Sequence, residues 1–338
     1  MARRKARNRS KKLAPTELDL YFSIPANTAT SGFIDIAQCL SIINRKFFRQ
    51  GMQYVIARTE LIATDTASAF IYRLPHHWPS VNSWTKTMSM WKKQQDETMD
   101  EAGLEDTIAK YRDFKIHMNA LHADNGFAAN LLPQSASISP GAPGVFLTEA
   151  EAQAIDPTAV YEWSPSQVVV PNVIAAGNEQ EYYLHMLGPD NGSTSKGMIA
   201  AYAQSRSRPQ VEEPNIVDAV SGGLFGQMFD VGMDNEAITD NAQEANDQLP
   251  YLNADGSTFE FYPGGSESGY AVTQQDMLSV SSTGDRVVGA VGSGFMANCG
   301  LLAVGFANNS ETQGATFRIT LAAGDYKGVM ARPMKDVN

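Results

Sequence analysis

Seven side chains in the first twelve residues carry the clearest chemistry in this sequence. Arg3, Arg4, Lys5, Arg7, Arg9, Lys11 and Lys12 lie within MARRKARNRSKK with no acid among them. Such a segment is a flexible polycation that binds nucleic acid by releasing counterions from phosphates, without reading base sequence. No aromatic residue is interleaved, so stacking on bases is not part of its chemistry. The chain average conceals this charge. The net charge is −11, yet removing the arm leaves 19 basic against 37 acidic side chains, a net of −18. The chain is bipolar, and an acidic body repels polynucleotide from the wrong surfaces. A nuclear import signal and a merely solubilising tail are the competing readings of the same twelve residues.

Other reactive side chains do not form a recognisable constellation. His76 and His77 are adjacent, so they cannot share one face of a helix or strand. His117 and His122 are five apart with no glutamate between them, which does not fit a zinc-protease helix. His185 stands by itself. Gly264-Gly265-Ser266-Glu267-Ser268 imitates a nucleophile elbow but lacks its final glycine. The glycines of Gly222-Gly223-Leu224-Phe225-Gly226 and Gly289-Ala290-Val291-Gly292-Ser293-Gly294 lack a nucleotide-binding context and read as close sheet packing. Asp230, Asp234, Glu236 and Asp240 do not have the spacing of a calcium loop and read as a solvated face, with calcium bridged between copies as the competing idea. Cys39 and Cys299 form neither a disulfide framework nor a thiolate zinc site and read as small buried hydrophobes. No catalytic residue, metal site or cofactor is expected.

The elements around the arm follow from patterning. Residues 1–14 are too polar and self-repelling to pack, so they are expected to form a disordered, nucleic-acid-binding arm. Residues 15–338 are expected to form one shell-like β domain. LDLYFSIP reads as a first strand, and Ile36, Leu40, Ile43 and Phe47 predict a helix over 33–49, ended by Gly51. MQYVIARTELIA (52–63) and SAFIYRLP (68–75) read as strands. Trp84, Met88 and Trp91 mark a helical stretch at about 80–110 packed on a sheet. FKIHMNA (114–120) reads as a strand, 124–157 as a Pro-rich loop, and 212–247 as an acidic surface excursion.

The second half alternates short strands with turns: VYEWSP, SQVVVPN, EYYLHMLG, GMIAAYAQSR, STFEFYP, YAVTQQDMLSV, RVVGAVGSGFMANCGLLAVGF and ATFRITLAAG. In the last, Phe317, Ile319 and Leu321 alternate with Thr316, Arg318 and Thr320. Asp255-Gly256 is a hairpin signal. The expected class is all-β: an antiparallel single jelly-roll sandwich with helical insertions in its loops. No run reaches the roughly 18 apolar residues that span a bilayer. The N-terminus lacks a secretory pattern, which places the protein in the cytosol or nucleus.

Four strings carry a resemblance: MARRKARNRSKK, FIDIAQCLSIINRKFFRQGMQYVIA, FIYRLPHHWPSVNSWTKTMSMWKK and ITLAAGDYKGVMARPM. Together they resemble capsid proteins of small circular, replication-initiator-encoding single-stranded DNA viruses known from environmental genomes. The match touches both ends and the first third of the chain. The resemblance implies a single jelly roll that self-assembles into an icosahedral homo-oligomer and packages a genome through Arg3, Arg4, Lys5, Arg7, Arg9, Lys11 and Lys12. It implies a structural, non-enzymatic protein of the virion, present in the host nucleus or cytoplasm during assembly, with a host receptor that the sequence does not identify and no membrane partner. The choice of single-stranded DNA as cargo rests on the resemblance alone. The arm is shorter and less arginine-dense than in many such capsids. In a shell of about sixty copies the arms would supply roughly 420 charges, enough to neutralise only part of a genome of a few thousand nucleotides. Two alternatives are a double jelly-roll capsid protein, split near 15–150 and 155–338, and a cellular nucleic-acid-binding protein with a basic tail.

Overall fold

The computed structural model describes residues 15–103, 112–134, 163–170, 180–207, 271–281, 287–311 and 313–337. The basic arm, the excursion 212–247, Asp255-Gly256, STFEFYP, the first half of VYEWSP and most of the Pro-rich stretch lie outside these residues. The described chain opens with β1 (Asp19–Ile24), β2 (Thr28–Asp35), α1 (Ile36–Asn44), β3 (Met52–Ala63) and β4 (Ala67–Arg73). There follow α2 (Trp78–Glu101), β5 (His117–Asn119), α3 (Ala120–Asn125), β6 (Gln167–Val170), β7 (Gln180–Leu187), β8 (Ser195–Gly197) and α4 (Met198–Ser207). It closes with β9 (Thr273–Val280), β10 (Val288–Gly292), β11 (Phe295–Ala297), β12 (Leu301–Asn308), β13 (Ala315–Leu321), β14 (Ala323–Gly324), β15 (Gly328–Val329) and β16 (Ala331–Pro333). The fold is mostly β. Among the described residues no helix is long and apolar enough to cross a membrane.

Two antiparallel sheets share one core. The first runs β1-β13-β3-β10, with β11 and β16 added along β3, and the second runs β2-β12-β4-β9. Each of the pairs β1/β2, β3/β4, β9/β10 and β12/β13 is divided between the two sheets. Period-two alternation sorts the side chains. Phe317, Ile319 and Leu321 are at most 1% exposed, while Thr316, Arg318 and Thr320 are only partly covered on the other face of β13. Phe317 lies opposite Leu61 and Phe22 within its sheet and reaches across to Phe306 of the second sheet, ring centroids 5.2 Å apart. Full burial of each such side chain contributes roughly 1.5–3 kcal/mol.

Residues 74–272 form an insertion between β4 and β9. Its sheet is mixed: β6 runs antiparallel to β7, while β5 and β8 run parallel to it. The two sandwich sheets are antiparallel as expected, whereas this separate mixed sheet lies outside an expectation that gave the insertions helices. Trp84, Trp91, Phe114, Leu184, Met186 and Ile199 build a second core, which takes in Phe33, Leu301 and Met334 of the sandwich. The Trp84–Trp91 stripe is thus a helix face packed on a sheet, as its spacing predicts. Gly51 permits the contact, because a Cβ there would lie 2.6 Å from the Trp84 ring. Arg73, the last residue of β4, is the register partner of Thr273, the first of β9.

Two expected elements differ. The helix expected over 33–49 is α1, because Phe33 and Ile34 pair with Ala303 and Leu302 as the end of β2. Asp35 then caps the helix, its side chain accepting from Ala37 N–H and Gln38 N–H. GMIAAYAQSR, expected as a strand, ends β8 with its glycine and then forms nearly all of α4. Met198, Ile199, Ala200 and Ala201 are all buried, so a continuous apolar run hides the helical period while the alanines favour a helix.

Candidate nucleic-acid interface

Arg3, Arg4, Lys5, Arg7, Arg9, Lys11 and Lys12 lie outside the described residues, and the geometry starts at Pro15, where the arm meets the body. Three anchors fix that root. Glu17 N–H donates to Asn44 Oδ1 at 2.7 Å, and Asn44 Nδ2 donates back to Glu17 O at 3.1 Å. Lys46 Nζ donates to Pro15 O and, at 3.2 Å, to Thr16 Oγ1. Thr16 Oγ1 donates to Lys327 O at 2.5 Å. Residues 15–17 are therefore held between the end of α1 and the turn joining β14 to β15.

Local folding brings further cations to this place. Arg45 ends α1 in the left-handed conformation, φ 49°, which turns the following residues back along the body. Arg49 N–H donates to Tyr326 Oη at 3.1 Å, and Tyr54 Oη donates to Arg49 O at 2.7 Å. The rings of Phe48 and Tyr54 flank Tyr326 at 6.0 and 6.4 Å. Lys327 Nζ donates to Phe47 O and stands 5.8 Å from the Phe48 ring. Lys327 thus stands over the Phe48 and Tyr326 rings, with the Arg49 backbone bonded to Tyr326 and Tyr54 beside it and Lys46 on the root, although Lys327 is remote in sequence. Burial, followed by the charge of Arg49, pushes the Lys327 ammonium down, against the pull of Asp113. Neighbouring like charges are unfavourable, and a bound phosphate relieves them. Asp325, exposed in the same turn, trims the positive charge.

A buried polar hub lies behind the root. Asp35 is fully buried and accepts from four donors: Ala37 N–H, Gln38 N–H, Gln50 Nε2 at 2.8 Å and Trp163 Nε1 at 2.9 Å. Burial pushes its carboxyl up to about 6, with the donors pulling the other way. Gln50 also donates to Ile116 O at 3.0 Å and accepts from Ile116 N–H at 2.6 Å, so its amide pairs with the insertion as a strand would. Lys115 pairs with Asp113 at 3.1 Å, between the rings of Phe47 and Trp163 at 5.4 and 4.9 Å. Burial pushes the Asp113 carboxyl up, and Lys115 lowers it again. This hub joins the insertion to the sandwich and has no face open to a ligand.

Several of the remaining groups have structural partners. His77 caps α2, its Nδ1 accepting from Ser80 N–H at 3.3 Å, while His76 Nδ1 lies 3.0 Å from Gln53 Nε2. His185 Nδ1 meets Ser195 Oγ at 2.9 Å, resembling a base–nucleophile pair, but both residues are 0% exposed and beyond the reach of substrate. Cys39 and Cys299 are free and buried. Among the described residues no group of three His, Cys, Asp or Glu side chains is placed to hold a metal ion. Sequence reasoning missed the body's own cations, because Arg45, Lys46 and Arg49 lie in a segment read as helix and Lys327 is isolated. It also missed the gathering of His117, His122 and His185, for which linear spacing carried no signal. What this arrangement can do chemically is hold phosphates without covalent change. No protein-family model matches the chain, and comparisons with curated proteins and with solved structures give no significant match.

Proposed function

We propose that this chain is a viral coat protein, folded as a single jelly roll, that closes into an icosahedral shell with copies of itself and holds single-stranded DNA through its basic arm. The observation that carries the reading is strand order. Counting β1, β2, β3, β4, β9, β10, β12 and β13 as eight strands, the sheets run 1-8-3-6 and 2-7-4-5. That order is what results when two Greek keys are rolled into facing sheets, the plan used by many shell proteins. Strands from both halves of the chain interleave in it, which favours one sandwich over two. Charge supports the same reading: Lys46 bonds to the arm root, and Arg45 and Lys327 lie in the two segments that hold it, whereas the chain beyond residue 12 has a net charge of −18.

Deletion of residues 1–12 tests the proposal. Purified full-length chain is expected to form closed particles by negative-stain microscopy, with nuclease-protected nucleic acid inside. The truncated chain is expected to form similar particles with several-fold less nucleic acid. A chain that stays monomeric in every assembly buffer overturns the shell reading, and undiminished packaging without the arm overturns the role assigned to it.

A further inference from the structure

We propose that His117, His122 and His185 form a proton-operated latch, which holds the insertion against the sandwich at neutral pH and releases it in mild acid. The inference concerns the fold of one chain and does not depend on the coat-protein reading.

The three rings meet at the seam between the two cores. His117 and His185 are register partners on the parallel strands β5 and β7, and the His122 ring on α3 stands edge-on to His117 with centroids 4.9 Å apart. His122 then faces the sandwich. It stacks on Phe33 of β2 at 4.3 Å and 7°, and its Nε2 lies 2.8 Å from Asn130 Oδ1. Asn130 Nδ2 donates to Gln38 Oε1 of α1 at 2.8 Å, and Leu131 N–H donates to Phe33 O at 2.8 Å. Release of His122 therefore loosens the path by which the insertion grips β2 and α1.

Each ring meets a proton differently. His117 is 1% exposed, and neither ring nitrogen has a partner at hydrogen-bonding geometry; the nearby Leu184 backbone favours a proton there without reaching that geometry. His122 Nδ1 accepts from Met118 N–H at 3.0 Å, so a proton on it would set two donors face to face. Nε2 must then be the nitrogen that donates to Asn130. Burial pushes the His185 ring down too, but the Pro189 carbonyl, 3.0 Å from its Nε2, and then the charges of Asp190 and Asp124 favour its charged form. Asp190 is paired with Lys196 at 2.9 Å, and Asp124 accepts from Asn191 at 2.8 Å. No carboxylate enters the balance at His117 or His122, where burial pushes the rings down to about 3 and about 4. Asp35, the charged group at the start of α1, titrates in the opposite sense, because its carboxyl is raised.

The sign follows from linkage. A base held neutral in the folded state and free in the open state takes up its proton on opening, so acid favours opening below the ordinary histidine value. Between pH 7.5 and pH 5, His117 and His122 each favour opening about thirtyfold, and Asp35 opposes it about tenfold, leaving about a hundredfold.

Hydrogen exchange of the full chain, expressed as protection factors to remove the intrinsic pH dependence, reads this directly. Peptides covering 114–131 and 180–187 should lose about a hundredfold of protection between pH 7.5 and pH 5 while β13 keeps its own. The double variant His117→Phe with His122→Asn should abolish the loss and leave at most the roughly tenfold gain in protection from Asp35, since phenylalanine cannot protonate and the asparagine oxygen replaces Nδ1 as acceptor for Met118. If that variant does not fold, His117→Phe alone should remove about thirtyfold of it. Equal seam protection at both pH values overturns the latch. So does a full step in the folded double variant, or simultaneous loss of protection in β13.

Discussion

One of the contacts joining insertion to sandwich is a single amide, and Gln50→Ala tests how much it carries. Gln50 is fully buried and satisfies three groups: the Asp35 carboxylate and the N–H and C=O of Ile116, at 2.8, 2.6 and 3.0 Å. Truncation strands both backbone groups away from water, at about 1–3 kcal/mol each. It also removes a hydrogen bond to a charged acceptor, about 1.5–3 kcal/mol. These terms share partners and do not simply add, so a loss of about 4 kcal/mol is expected. The control is Gln50→Glu, which sets a second carboxylate against Asp35 and donates nothing. It should cost more than the alanine at neutral pH. Burial and the Asp35 charge raise the introduced carboxyl above its unfolded value, so its penalty should shrink as pH falls through the folded value. Urea midpoints followed by tryptophan fluorescence report the effect, with Trp163 in direct contact with the hub. A loss under about 1 kcal/mol, or equal losses for the two variants, would refute the argument that the amide acts as a surrogate strand.

Three further changes test the sandwich and the arm root. Phe317→Ala removes a fully buried ring that bridges both sheets and should cost about 3–5 kcal/mol in urea unfolding. Thr316→Ala, on the other face of the same strand, should cost under about 1 kcal/mol. Arg45→Ala, at an exposed position beside the root, should leave stability unchanged. In single-stranded DNA binding it should lower the slope of log affinity against log salt by about 0.7 if its guanidinium meets a phosphate. An unchanged slope removes Arg45 from the interface.

The sequence discloses elements whose two faces differ. MQYVIARTELIA coincides with β3, and the alternation in ATFRITL gives both β13 and the side it buries. It fails where both faces are covered or a short strand looks polar. Leu301 and Leu302 are both buried because the insertion caps the outer side of β12, so period two is blurred there. β2 begins as TATSG, which is too polar to announce a strand, and its apolar end, Phe33-Ile34, reads as the start of α1. The candidate interface was half legible. Seven charges in one run stand out, but Lys327 joins Lys46 through a turn near the C-terminus, and no local pattern encodes that meeting.

The pairing of Arg73 with Thr273 has a consequence for how this architecture varies. Departure and return lie side by side on adjacent strands, so a tight hairpin can bridge the gap with the ladder intact. A replacement would nevertheless have to cover Phe33, Leu301 and Met334, stand in for Phe127 and Trp163 in the sandwich core, and supply partners for Asp35 and Gln50.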